Sequence, residues 1–223
     1  MNILLLGIGN VLWADEGFGV RVIERLQKNY RFPDCVKIID GGTQGVYLVE
    51  HVQAADVLIV FDAIDYGLAP GALKPIENDD VPNFLGAKKM SLHQTGFQEV
   101  LAMAQMLGAY PRHLLLIGVQ PEELDDYGGS LRPTVKAQIQ PAINAALDYL
   151  KTFGIGAEIV TADADLTDPV LNMQRYEQER PTAFEACRTG DDRVLQLEGF
   201  ELRPPQPVGE NTVQVDVDYR GKY

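Results

Sequence analysis

The sequence predicts an α/β fold: a doubly wound, mostly parallel twisted sheet of about five strands, flanked by helices on both faces, plus an irregular C-terminal extension. Three observations carry this. Short, nearly unbroken apolar runs such as NILLLGI (Asn2–Ile8), DVLIVF (Asp56–Phe61) and LLLIGV (Leu114–Val119) suit strands buried on both faces. Longer amphipathic stretches separate them, as crossover helices would. Beyond Gly154 the periodicity fades, and residues 155–223 hold 14 acidic and 7 basic side chains against 18 and 12 in residues 1–154.

In chain order, Asn2–Ile8 is a central strand. Phe18, Val22, Leu26 and Tyr30 recur at spacings of four and mark a helix after Asp15. Val36–Ile39 is a second strand, Gln44–Gln53 a short helix and Asp56–Phe61 a third strand. Ala72–Ile76 reads as a strand that Pro75 confines to a sheet edge. Residues 78–90 are polar, contain Pro82 and Gly86, and read as a long loop. Thr95 with Gln98 forms a capping-box pattern for a helix running to Leu107, with Gly108 as its stop. Leu114–Val119 is the last buried strand, and Thr134–Phe153 a final helix that Pro141 is expected to kink. The domain boundary falls at 154/155. The extension carries Pro204-Pro205 and one alternating piece, Thr212–Val217, suited to a peripheral strand; it is expected to be partly mobile or to order against a partner.

Composition narrows the function. A net charge of −13 over 223 residues leaves no basic surplus for nucleic acid or for an anionic membrane surface. The apolar run Ile3–Ile8 is too short for an anchor and lacks the basic segment of a signal peptide, so the chain reads as cytoplasmic. Cys35 and Cys187 stand alone, which excludes a cysteine zinc knuckle or a disulfide framework; Cys35 reads as a small buried residue at a strand start.

Gly7-Ile8-Gly9 lies where a dinucleotide fingerprint would, between a strand and a helix, but Leu12 replaces its third glycine. Asp15 and Glu16 at the mouth of that turn would repel a pyrophosphate. Taken singly, the candidate residues have ordinary readings. Asp15 and Glu16 can cap a helix, Asp40 and Asp62 can open turns after strands, and His93 can be a surface residue in a loop just before a helix. His51, within a short helix, and His113, at the head of a strand, read as structural.

Jointly they say more. Ligands of a doubly wound sheet gather beyond the carboxyl ends of its strands. Glu16, Asp40 and Asp62 follow such ends, and the loop holding His93 can return to the same edge. Carboxylates with an imidazole suit a divalent transition metal, and three ligands leave positions open for substrate. No Ser-His-Asp set stands in a G-x-S-x-G context, so a covalent-nucleophile hydrolase is unsupported.

These residues stand in blocks that resemble a known family. GIGNVLWADEGFGVRVIERL (Gly7–Leu26), DGGTQG (Asp40–Gly45), FDAIDYG (Phe61–Gly67), SLHQTG around His93 and IGVQPEEL (Ile117–Leu124) are similar, in order and spacing, to the hydrogenase maturation endopeptidases that process nickel-iron hydrogenase large subunits. The resemblance covers about residues 1–152, and its first block is the most specific.

It implies an endopeptidase that removes the C-terminal peptide of a nickel-loaded large-subunit precursor. Glu16, Asp62 and His93 would contact the metal, with Glu16, Asp62 and Asp40 the candidates for catalysis. Asp40, Gly41, Gly42 and Thr43 would recognise substrate. The nickel would come with the substrate, with no permanent cofactor, and zinc or cadmium would occupy the site adventitiously. The partner implied is the large-subunit precursor, with other maturation factors as further candidates. Longer relatives serve chiefly membrane-bound uptake hydrogenases, which points to that substrate. Two other readings stand beside it: a noncatalytic metal-checking chaperone for the large subunit, and a small-molecule α/β hydrolase or nucleotide binder.

Overall fold

The structure is a computed structural model that describes residues 1–81, 92–160 and 173–179; the side chains of 92–95 and 178–179 lie outside the description. Its elements are β1 (Ile3–Ile8), α1 (Phe18–Asn29), β2 (Tyr30–Arg31), β3 (Val36–Gly42), α2 (Val49–Gln53), β4 (Val57–Ala63), β5 (Leu73–Glu77), α3 (Leu92–Met106), β6 (His113–Val119), α4 (Pro133–Lys136), α5 (Ile139–Thr152), β7 (Glu158–Ile159) and α6 (Met173–Glu179). All lie in one compact unit, Met1–Thr182.

Five strands make the main sheet in the order β3-β1-β4-β6-β5. The first four run parallel, and β5 pairs antiparallel with β6 at the edge that Pro75 predicts. β1, β4 and all but the first residue of β6 are fully buried, which explains why their sequences show no alternation. The pleat divides their side chains between two cores. Leu5, Ile59 and Ile117 meet Phe18, Val22 and Leu26 of α1 and Ile143 and Ala146 of α5. Leu6, Leu58, Val60 and Leu116 meet Val49 and Val52 of α2 and Phe97, Val100 and Leu101 of α3 on the other face.

Several elements differ from the sequence reading. The Gln44–Gln53 helix is a 3-10 turn, Gly45–Leu48, followed by the short α2. The capping pattern at Thr95 does not start its helix: α3 begins at Leu92, which puts Thr95 in its interior and His93 in its first turn rather than in a loop. Once a helix is nucleated, each further residue adds a hydrogen bond, and one β-branched residue costs too little to stop it. Gly108 does close α3, at φ +73.

The predicted Thr134–Phe153 helix is two helices, broken at Ala137-Gln138. Pro141 is the third residue of α5. Its missing N–H is there one of the four that no helix uses, and its ring forbids helical continuation from the carbonyl four residues back. Gly154 (φ +74) ends α5, with the Ile155 N–H donating to the Leu150 carbonyl. Cys35, immediately before β3, is half-buried rather than buried.

Described pieces of the extension lie against this body. β7 pairs antiparallel with β2. On α6, Tyr176 lies under the Arg21 guanidinium at 5.7 Å, and Glu177 accepts from Ser130 Oγ at 2.7 Å and Lys136 Nζ at 2.6 Å. Thr212–Val217 and most of the 78–90 loop lie outside the described residues. No helix among the described residues is long and apolar enough to cross a membrane.

Candidate active site at the carboxyl edge of the sheet

The register sets the candidate residues level with one another. Gly7 of β1 is paired with Asp40 of β3 on one side and Phe61 of β4 on the other, and Asp62 is paired with Gly118 of β6. The chain ends of β1, β3, β4 and β6 therefore share one edge, where parallel sheets keep their sites.

The glycines after β1 serve close packing. A Cβ on Gly19 would overlap the carbonyl oxygens of Ile8 and Phe61, and one on Gly9 (φ +134) would overlap the Glu16 carbonyl. The segment resembling a dinucleotide fingerprint is thus the contact by which α1 and the turn before it press onto the sheet. Ala14, at φ +37, sits in the left-handed region that costs a residue with a Cβ about 1 kcal/mol or more. It opens the 3-10 turn Ala14–Gly17, which carries Asp15 and Glu16.

Neither acid caps α1. Asp15 is 0% exposed. Its Oδ2 accepts the N–H groups of Glu122 and Glu123, each at 2.9 Å, and its Oδ1 accepts that of Arg132 at 2.7 Å. A buried carboxylate finds more stabilisation in three oriented donors than in a solvated helix end. The same two loops are joined by the Asp15 N–H to the Glu123 carbonyl (3.1 Å), by Gly128 N–H to Leu12 carbonyl (2.7 Å), and by edge-on rings of Trp13 and Tyr127. Glu16, next in the chain, is half-buried at the sheet edge.

Asp62 is 2% exposed, and the Ala63 N–H donates to its Oδ1 at 2.8 Å. Alternation along β4 sends it to the same face as Leu58 and Val60, the face α3 covers. Beside it, burial and then the Asp62 charge hold Tyr66 in its neutral form well above the ordinary phenol range. The Tyr66 ring faces Lys74 Nζ at 5.1 Å, and its hydroxyl lies where a Gly118 side chain would be. Gln120 fixes this turn. Its Oε1 accepts the N–H groups of Tyr66 (2.8 Å) and Leu68 (3.0 Å), while its Nε2 donates to Asp65 (3.0 Å).

At the β3 end, the Gly42 N–H donates to Asp40 Oδ1 at 2.9 Å, and Gly42 (φ +44) returns its carbonyl to the Gly9 N–H at 3.0 Å. Gly41 is buried, Gly42 half-buried, and Asp40 and Thr43 are exposed, so the DGGT turn offers its outer surface to a partner. Although Asp40 is exposed as a residue, its carboxyl is partly desolvated against the turn. Lost hydration raises its pKa above the ordinary 3.8, opposed by the Gly42 N–H and by the Arg21 charge.

This gives a pH prediction. The folded chain holds the Asp40 proton to higher pH than the unfolded chain does. The contribution to stability is therefore complete below pH 3.8 and is lost as pH rises through the raised folded value. In urea unfolding, the stability of the wild type minus that of Asp40→Asn should decline across that window; a constant or rising difference would contradict it.

The backbone of His93 lies in the first turn of α3. Within one turn of it, Gly96 comes within ordinary contact of the Gly45 backbone, 3.5 Å for a Cβ built there. That brings the head of α3 to the turn after β3, on the face to which Asp62 points. The side chain of His93 lies outside the described residues. Among the described residues no group of three or more His, Cys, Asp or Glu side chains is placed to hold a metal ion. His51, whose Nδ1 is 3.4 Å from Lys37 Nζ, and His113, at the amino end of β6 against Phe153, lie apart from this edge.

Nothing in the spacing of Asp15, Tyr66 and Gln120 along the chain singles them out as shaping this edge. A polar residue directly after a fully apolar strand, as Gln120 is, was the available signal.

Comparisons with known proteins agree on one family. The family described as hydrogenase maturation protease (HycI) matches residues 20–149. The hydrogenase expression/formation protein HupD of Thiocapsa roseopersicina is 60% identical over 214 residues, covering 94% of this chain and 97% of its own. HoxM of Azotobacter vinelandii is 61% identical over 201 residues, covering 90% and 97%. Among solved structures, the hydrogenase maturating endopeptidase HybD from E. coli superposes with a TM-score of 0.68 at 41% identity, over 71% of this chain and 98% of its own. HybD of Thermococcus kodakarensis gives 0.54 at 25% identity, over 67% and 99%. With more than half its length matched by the family and close relatives aligned almost end to end, this chain belongs to the hydrogenase maturation proteases.

Proposed function

We propose that this protein removes the C-terminal peptide of a nickel-loaded nickel-iron hydrogenase large-subunit precursor in the cytoplasm, with Glu16, Asp62 and His93 meeting the nickel that the substrate presents. The observation that carries this reading is the buried Asp62 carboxylate at the end of β4, on the side covered by α3 and level with the turns of Glu16 and Asp40. A carboxylate so little hydrated gains most from a cation delivered by a partner. A precursor without nickel would forgo that interaction, so the site discriminates by metal loading. The protein itself needs no permanent cofactor, and zinc or cadmium would bind adventitiously.

For cleavage, the metal polarises the scissile carbonyl or a water, and a carboxylate, Glu16 or Asp62, takes the water's proton as the C–O bond forms. The proton passes to the leaving amine as the C–N bond breaks. Asp40, with Gly41, Gly42 and Thr43, borders the same edge and would hold the peptide or assist the reaction. Once the tail is gone, the product buries its metal and leaves, which makes the step irreversible.

The test is incubation of purified protein with nickel-loaded and nickel-free precursor, following the mass of the large subunit. Loss of the C-terminal peptide from the loaded form alone is expected. Binding without any mass change would instead indicate a metal-checking chaperone.

A further inference from the structure

We propose that Asp15 is a positioning residue: by tethering the turn after β1 to the loop after β6, it sets the position of Glu16 at the carboxyl edge. The proposal rests on reading Glu16 as a group that meets the substrate's metal. Three features of the structure support it. Asp15 is wholly buried, yet its two oxygens take three backbone N–H groups from Glu122, Glu123 and Arg132, more than 100 residues away in sequence. Every one of these donors is main chain, so the bonds place the backbone of one loop against that of the other. The turn they hold is strained at Ala14 (φ +37) and short, and Glu16 is the next residue in it. A strained turn keeps its shape only where its surroundings over-determine it.

The second loop is itself braced. Arg132 Nη2 donates to Asp126 at 2.9 Å, and Glu177 of α6 holds Ser130 and Lys136. Asp15 is thereby anchored to a fixed wall rather than to a free loop. Residues that orient metal-contacting groups in this way are commonly worth about 10–100-fold in affinity or activity.

The experiment compares full-length wild type, Asp15→Asn, Glu16→Gln and the double variant. The readouts are the ratio of Kd for nickel-free to nickel-loaded precursor, the cleavage rate, and amide exchange at 122, 123 and 132. Asp15→Asn keeps the shape but turns an NH2 toward N–H donors. It should lower the nickel preference and the rate by about tenfold or more, and speed exchange at those amides. In the Glu16→Gln background it should change the preference no further.

If Glu16→Gln is impaired while Asp15→Asn matches wild type, the positioning role falls and the reading of Glu16 stands. If both match wild type, the reading of Glu16 falls and the positioning role with it. An equal loss from Asp15→Asn with and without Glu16 also overturns the proposal. Should Asp15→Asn fail to fold, Arg132→Pro removes one donor without touching the carboxylate, since Arg132 already has φ −63 and precedes α4. Its preference must then fall below that of Arg132→Ala, which keeps the N–H, and equality of the two overturns the proposal.

Discussion

Asp62→Asn is expected to lower cleavage of the nickel-loaded precursor by about 100-fold or more while leaving the melting temperature nearly unchanged. The substitution is isosteric, and the Asn oxygen can still accept the Ala63 N–H that Asp62 Oδ1 now accepts. What is lost is the charge of a side chain that is only 2% exposed. Neutralising a group in so dry a place relieves its desolvation, which offsets the interactions that the charge makes there. Binding of a metal-bearing substrate and acceptance of a proton both need the anion. Glu16→Gln, at a half-buried position, should likewise lower cleavage with little change in melting temperature. Rates followed by release of the C-terminal peptide, alongside thermal unfolding, check both. Normal cleavage by either variant would remove that carboxylate from the reaction.

Gly19→Ala should destabilise the protein by about 3 kcal/mol, seen as a fall in Tm of roughly 6–12 °C for a domain of this size. Two effects oppose each other here. Alanine is the better helix former by about 1 kcal/mol in a helix interior, and by less near the start of α1, where Gly19 lies. Against this, the new Cβ overlaps two backbone carbonyls, of Ile8 in β1 and Phe61 in β4, which cannot turn aside as a side chain would. α1 must lift from the sheet and expose part of the core that Phe18, Val22 and Leu26 fill. The lift would also carry the Glu16 turn outward, so cleavage should fall with stability. An unchanged or raised Tm would show that α1 slides freely on the sheet.

The strands were legible because burial on both faces leaves a run of apolar residues that no solvated segment would carry, as in β1, β4 and β6. The edge position of β5 was legible from Pro75, whose lack of an N–H suits only an edge. Boundaries decided by competition were not. α3 starts at Leu92 because helix propagation outweighs a local cap at Thr95, and α4 and α5 separate because Pro141 acts on a carbonyl four residues earlier. In the site, Asp40 and Asp62 could be placed at the carboxyl edge from strand order alone. The partners of Asp15 could not, because they are backbone groups whose chemistry is the same at every position.

Buried segments and the open α/β sheet are legible along the chain, since period and polarity are local quantities, and so is the placing of Asp40 and Asp62 toward the carboxyl ends of their strands, although both lie within β3 and β4 rather than after them. The sequence also carried the family, through the blocks from Gly7 to Leu124. That the glycines after β1 are contacts between α1 and the sheet, and that Asp15 is buried and bonded to the loop after β6 while Glu16 beside it is half-buried, emerges from the three-dimensional packing alone. Those outcomes depend on the separation of main-chain atoms from elements distant in sequence, which no pattern along the chain encodes.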